Sequence, residues 1–144
     1  MVESVIQRLG RVWIPNSEPP EVGSVPVDVS NMGWAEIGHW QSVCTAWVSY
    51  AHMQIGLSDA RLAVLSKRFS QRVNAIIVKE DIKQRTYDLQ LEEAVGHEPA
   101  LQTIQGEVAE LTGVVAFWGR AAKAYDAYVT LFDREVFRRN KERG

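Results

Sequence analysis

The sequence predicts an all-α protein: a long antiparallel helical hairpin with a coiled-coil-like seam, carrying an extended Pro-rich N-terminal arm and assembling into a helical oligomer. Three observations carry this expectation. Four of the five prolines fall within residues 1–33. Beyond residue 34, two long stretches repeat apolar side chains at alternating steps of three and four. A charged segment ending in "VGHEP" separates them. Two domains follow, an arm at 1–33 and a hairpin at 34–144.

The arm comes first. "IPNSEPPEVGSVP" cannot continue a helix, because proline lacks the N–H donor and clashes with the preceding turn. Val12, Trp13 and Ile14 are costly to leave in water, so "RVWI" reads as an edge strand or an extended piece packed on something. The surface beneath is either the chain's own helices or a neighbouring subunit.

The first helix follows from one stripe: Trp34, Ile37, Gln41, Cys44, Val48, Ala51, Ile55, Ser58, Leu62, Leu65, Phe69, Arg72, Ile76. Its phase survives Gly56, although a helical glycine costs about 1 kcal/mol. The preserved register favours one continuous helix. The alternative is a break at "GLSD", with Ser58 capping a second helix.

The second stripe is apolar or aromatic throughout: Leu101, Ile104, Val108, Leu111, Val115, Trp118, Ala122, Tyr125, Val129, Phe132, Val136. Pro99 suits a first helical turn. A helix over about 99–140 would be roughly 60 Å long. Sustained heptads of this kind imply a coiled-coil-like seam. Between the stripes, residues 79–99 offer only Ile82, Tyr87, Leu89 and Leu91 for burial, which suits the tip of a hairpin.

Two helices alone cannot cover all this apolar surface. A second row on the first helix, Trp40, Val43, Trp47, Tyr50 and Leu57, widens its face and calls for helices from other copies. A homo-oligomer is therefore expected, with Trp34, Trp40, Trp47, Trp118, Tyr125 and Phe132 as candidate interface residues.

Composition excludes several function classes. A net charge of −2 excludes a uniformly basic nucleic-acid binder, so any polyanion site must be a local patch. One cysteine, Cys44, permits no intrachain disulfide and suits a reducing compartment. No apolar run approaches the roughly 18 residues that span a bilayer. "MVESVIQRLGR" lacks the apolar core of a signal peptide, so a cytoplasmic protein without membrane contact is expected. His39, His52 and His97 lack co-ligands at metal-site spacing, and no phosphate-cradling glycine motif or nucleophile elbow occurs. No enzyme, cofactor or metal is expected.

One stretch departs from this balance. In "DREVFRRNKERG", residues 134–143 carry five basic and two acidic side chains, a local charge of +3. Arg134, Arg138, Arg139, Lys141 and Arg143 form the candidate nucleic-acid-binding set. They could simply complement the helix dipole, with Glu135–Arg139 and Arg138–Glu142 pairing four residues apart. Repeated around the rim of an oligomer, beside Trp34 and Trp40, they would instead hold a single strand by phosphate contacts and stacking. Lys67, Arg68, Arg72, Lys79, Lys83 and Arg85 are interleaved with acids and read as a solvated face.

The tryptophan-led "WAEIGHWQSVCTAWVSYAHMQIGLSDARLAVL", the charged spacer and the closing "YVTLFDREVFRRNKE" together resemble small helical proteins of tailed phages, in particular the UvsY-like recombination mediator family. "LFDREVFRR" is similar to that family's terminal segment, a hydrophobic helix followed by a Ser-Arg-type step, with Asp133 in place of the serine. The resemblance implies an oligomer that binds single-stranded DNA in the host cytoplasm. It also implies help in loading a RecA-like recombinase in place of single-strand-binding protein, with Arg134, Arg138 and Arg139 as the carried-over residues. The rival expectation is an oligomeric helical adaptor or structural protein of a phage or mobile element, acting through protein–protein contacts only. A third class is an inhibitor docking on a host protein.

Overall fold

A computed structural model describes residues 25, 26 and 28–144, and every regular element among them is helical. A short 3-10 turn, Val29–Asn31, precedes helix α1 at Trp34–Lys79; α2 spans Tyr87–His97 and α3 spans Ala100–Arg143. The expected all-α class is what the described residues adopt. The strand or extended piece expected at Val12–Ile14 lies outside the described residues. No helix among those described is long and apolar enough to cross a membrane.

The chain forms two compact units. One holds the described residues up to Gly56 together with Ala116–Gly144, and the other is Leu57–Val115. Helices α1 and α3 each contribute to both. Helix α1 is unbroken at Gly56, as the preserved stripe predicts.

In the first unit, Met32, Ile37, Cys44 and Phe132 form the core, flanked by Trp40, Tyr125, Val129 and Val136. Ile37, Cys44 and Ala51 recur every seven residues and are fully buried, so the stripe of α1 faces the stripe of α3. Pairing across the seam runs antiparallel. Gln41 donates to Asp133 at 2.7 Å, Trp47 stacks on Tyr125, and Tyr50 meets Trp118 edge-on. Burying a phenylalanine such as Phe132 is worth about 1.5–3 kcal/mol. Val25, Val29 and Met32 rest on this same core, so this part of the predicted arm packs on the chain's own helices.

The second unit closes around Val73, Ile76, Ile82, Ala94, Val95 and Leu101. Helix α1 ends there in a Schellman motif. The Ile82 N–H donates to the Ile77 carbonyl and Asp81 N–H to that of Val78, with Asp81 at φ 49°. Ile82 then packs with Ile77 against the core, the apolar contact this cap favours. Thr86 caps α2, its hydroxyl accepting from the Leu89 N–H at 3.4 Å. Arg72 forks onto Glu98 at 2.6 and 2.7 Å just before Pro99, where α3 begins.

The charged spacer thus contains a helix, which its composition did not announce. Of the four residues expected to bury, Ile82 does so and Leu91 does in part, but Tyr87 and Leu89 are exposed. The Thr86 cap sets a phase that turns Leu91, Ala94 and Val95 inward and leaves Leu89 on the opposite side. Small residues fill the core where larger ones were expected.

Candidate nucleic-acid interface

The five cations near the end of α3 share one environment only in sequence. At its centre is Glu135, a carboxylate only 7% exposed. Arg138 donates to it through Nε and Nη2 at 3.0 and 2.7 Å, and Arg139 through Nε at 2.8 Å. The Arg138 hydrogen bonds, followed by that of Arg139, lower the Glu135 carboxyl from 4.5 to about 2. Arg138 also reaches Glu142 one turn on. Both ion pairs expected from four-residue spacing are formed.

Arg139 is committed further. Its Nη2 donates to the carbonyls of Met32 at 2.6 Å, Val29 at 3.1 Å and Ser30 at 3.3 Å, and its side chain is only 14% exposed. The Val29 carbonyl already accepts from the Met32 N–H at 3.3 Å across the 3-10 turn. The guanidinium, with several donors in a fixed fork, adds to that bond and reaches the Ser30 and Met32 carbonyls as well. Beside it, Asp28 accepts from Ser30 Oγ and Asn31 Nδ2, both at 2.7 Å, and the Ser30 bond leads in lowering its carboxyl. Arg139 therefore joins α3 to the segment that enters α1.

Arg143 lies over the ring of Trp34 at 4.8 Å, and Arg139 approaches the same ring at 5.4 Å. Trp34, expected on the seam, sits instead at the first turn of α1, 39% exposed and topped by guanidinium groups. Arg134 and Lys141 are exposed and have no ion-pair partner among the described residues. Of the five candidates, Arg139 is structural, Arg138 is held between two carboxylates, Arg143 stacks, and Arg134 and Lys141 lack an ion pair among the described residues.

Protein-family models, curated proteins and solved structures contain no match to this chain.

The aromatic candidates for an oligomer interface divide in the same way. Phe132 is fully buried and Trp47 nearly so, both within their own unit. Tyr125 stacks on Trp47 with ring centroids 5.6 Å apart, Trp118 packs edge-on to Tyr50, and Trp40 lies against the core. The large apolar side chains most open on this unit are Phe117 at 62% and Phe137 at 71%, neither of them on the predicted stripes. Their signal was their place off the seam, where an aromatic has no core to enter. Cys44 is buried and desolvation pushes its thiol up, as for a cysteine packed in a core.

Proposed function

We propose that this chain is a non-enzymatic accessory of DNA recombination of the phage mediator type. Its helices form a long hairpin, and several copies associate with their cationic ends on one edge. That edge holds single-stranded DNA and assists the loading of a RecA-like recombinase against single-strand-binding protein in the host cytoplasm. The observation that carries it is the pair Arg134 and Lys141, exposed, seven residues apart on one helix face and free of carboxylate partners among the described residues. Near the same helix end, Arg143 lies over the partly exposed Trp34 ring and adds a further cation beside an aromatic group.

The test is fluorescence anisotropy of a labelled oligodeoxythymidylate, titrated at about 50 and 200 mM salt. Affinity should fall with salt, and Arg134→Gln/Lys141→Gln should lower the salt slope by about 1.4, or roughly 0.7 for each phosphate no longer neutralised. Arg138 and Arg139 are poor choices for this test, because replacing them disturbs Glu135 and the segment before α1. Absence of binding at the lower salt sinks the proposal. The exposure of Phe117 and Phe137 favours a second reading, an oligomeric adaptor of a phage or mobile element that works only through protein contacts. A defined oligomer, seen by intact-mass measurement, that ignores the oligonucleotide would select it.

A further inference from the structure

The cations of α3 do not stop at its last turns. At 100° per residue, Arg120, Lys123, Arg134, Arg138 and Lys141 fall within an arc of about 60° on one side of the helix. All five are exposed, and the only other residue near the middle of this arc in that stretch is Ala127. The four acids of the segment, Asp126, Asp133, Glu135 and Glu142, lie outside it. The row extends over roughly 31 Å.

The ordinary explanation of a basic helix end fails for the first two members. Macrodipole complementation fades within the last turn, and Arg120 and Lys123 stand some five turns before it. Neither has an ion pair among the described residues, unlike Arg61 with Glu107 or Arg72 with Glu98 in the other unit. Where the row lacks a cation, between Lys123 and Arg134, the surface is concave. Ala124, Ala127, Tyr128, Thr130, Leu131 and Arg134 line an open depression of about 420 Å³.

We infer that the outer face of α3 from Arg120 to Lys141 is the path of a single-stranded nucleic acid, with phosphates on the cation row and a base seated beside Tyr128. This rests on the DNA-binding reading above and extends it from the helix end to the whole face. Charge complementarity selects the occupant: an extended polyanion meets Arg120, Lys123, Arg134 and Lys141, none of them in an ion pair among the described residues. Arg138 is shared with Glu135 and Glu142, and the half-buried Tyr128 offers an aromatic edge midway. At roughly 3.4 Å per stacked nucleotide, the row accommodates about nine.

The experiment compares the full chain with Arg120→Gln/Lys123→Gln, and with the conservative Arg120→Lys/Lys123→Arg as control, in the same oligodeoxythymidylate titration. Removing two phosphate-neutralising cations should lower the salt slope by about 1.4. The conservative variant should keep the wild-type slope, and circular dichroism should show unchanged helicity in both. Wild-type binding with an unaltered slope in the glutamine variant overturns the extended path, yet leaves the helix-end site intact. No binding by wild type at the lower salt overturns the DNA reading itself, and this inference with it. Preference for labelled polyglutamate over the oligonucleotide assigns the row to an acidic protein surface, and the inference falls.

Discussion

Arg139 of α3 donates to the main-chain carbonyl of Met32 at 2.6 Å, joining positions 107 residues apart in the chain. The same side chain holds Glu135 and two further carbonyls, so it ties the end of one long helix to the entry of the other. Met32 in turn packs with Phe132, Ile37 and Cys44. A residue that reads as a phosphate ligand is thus a brace.

Replacing Arg139 with alanine is expected to destabilise the first unit by about 2 kcal/mol, since hydrogen bonds from a charged donor are worth about 1.5–3 kcal/mol and the buried Glu135 carboxylate would lose one of its donors. Arg134→Ala should change stability by less than about 0.5 kcal/mol. Urea unfolding of the two variants checks the contrast. Equal midpoints would show that the brace does not hold in solution.

The Glu135 carboxyl makes stability depend on pH in a defined window. Its folded value, about 2, lies below the ordinary 4.5, so the folded form favours the carboxylate. The resulting stabilisation is fully present above pH 4.5 and is lost as the pH falls towards about 2. Glu135→Gln should therefore be less stable than wild type at neutral pH, and the gap should narrow through that window. Urea midpoints across the acid range measure this; a gap independent of pH would exclude it.

Phe132 and Phe137 offer a matched pair on one helix. Phe132 is fully buried, whereas Phe137 is 71% exposed. Phe132→Ala is expected to cost about 3–5 kcal/mol through reduced burial and the cavity left behind. Phe137→Ala should leave unfolding nearly unchanged. If Phe137 lies between copies, its variant would instead shift the mass of the assembly at micromolar concentration, as light scattering would read.

Backbone substitutions should raise stability at two positions. Asp81 caps α1 in a left-handed conformation, φ 49°, that glycine adopts without strain. Asp81→Gly is expected to stabilise by about 1 kcal/mol. Gly56 lies within α1, and a methyl group there would meet nothing within 4 Å. Gly56→Ala should add about 0.5–1 kcal/mol. Thermal melts followed by circular dichroism test both, and a lowered Tm for Gly56→Ala would mean that the helix bends there in solution.

The two long helices and their seam were legible in the chain itself. An apolar residue every three or four positions states which side of a helix faces inward, and that record persisted through Gly56 and placed Ile37, Cys44, Ala51 and Phe132 correctly. The pairs Glu135–Arg139 and Arg138–Glu142 were legible too, because helical spacing alone brings them together. Helix α2 was less so: a cap at Thr86, not a long apolar period, defines it, and alanine carries little hydrophobic signal.

Only the tertiary structure decided which charges are free. Arg134 and Arg139 are the same residue type five positions apart, yet one is open to solvent and the other is enclosed by carbonyls from before α1. Periodicity is a local property, fixed by backbone geometry and written into each segment of sequence. Whether a guanidinium meets water, a carboxylate or a distant carbonyl depends on which segments the packed core brings alongside it.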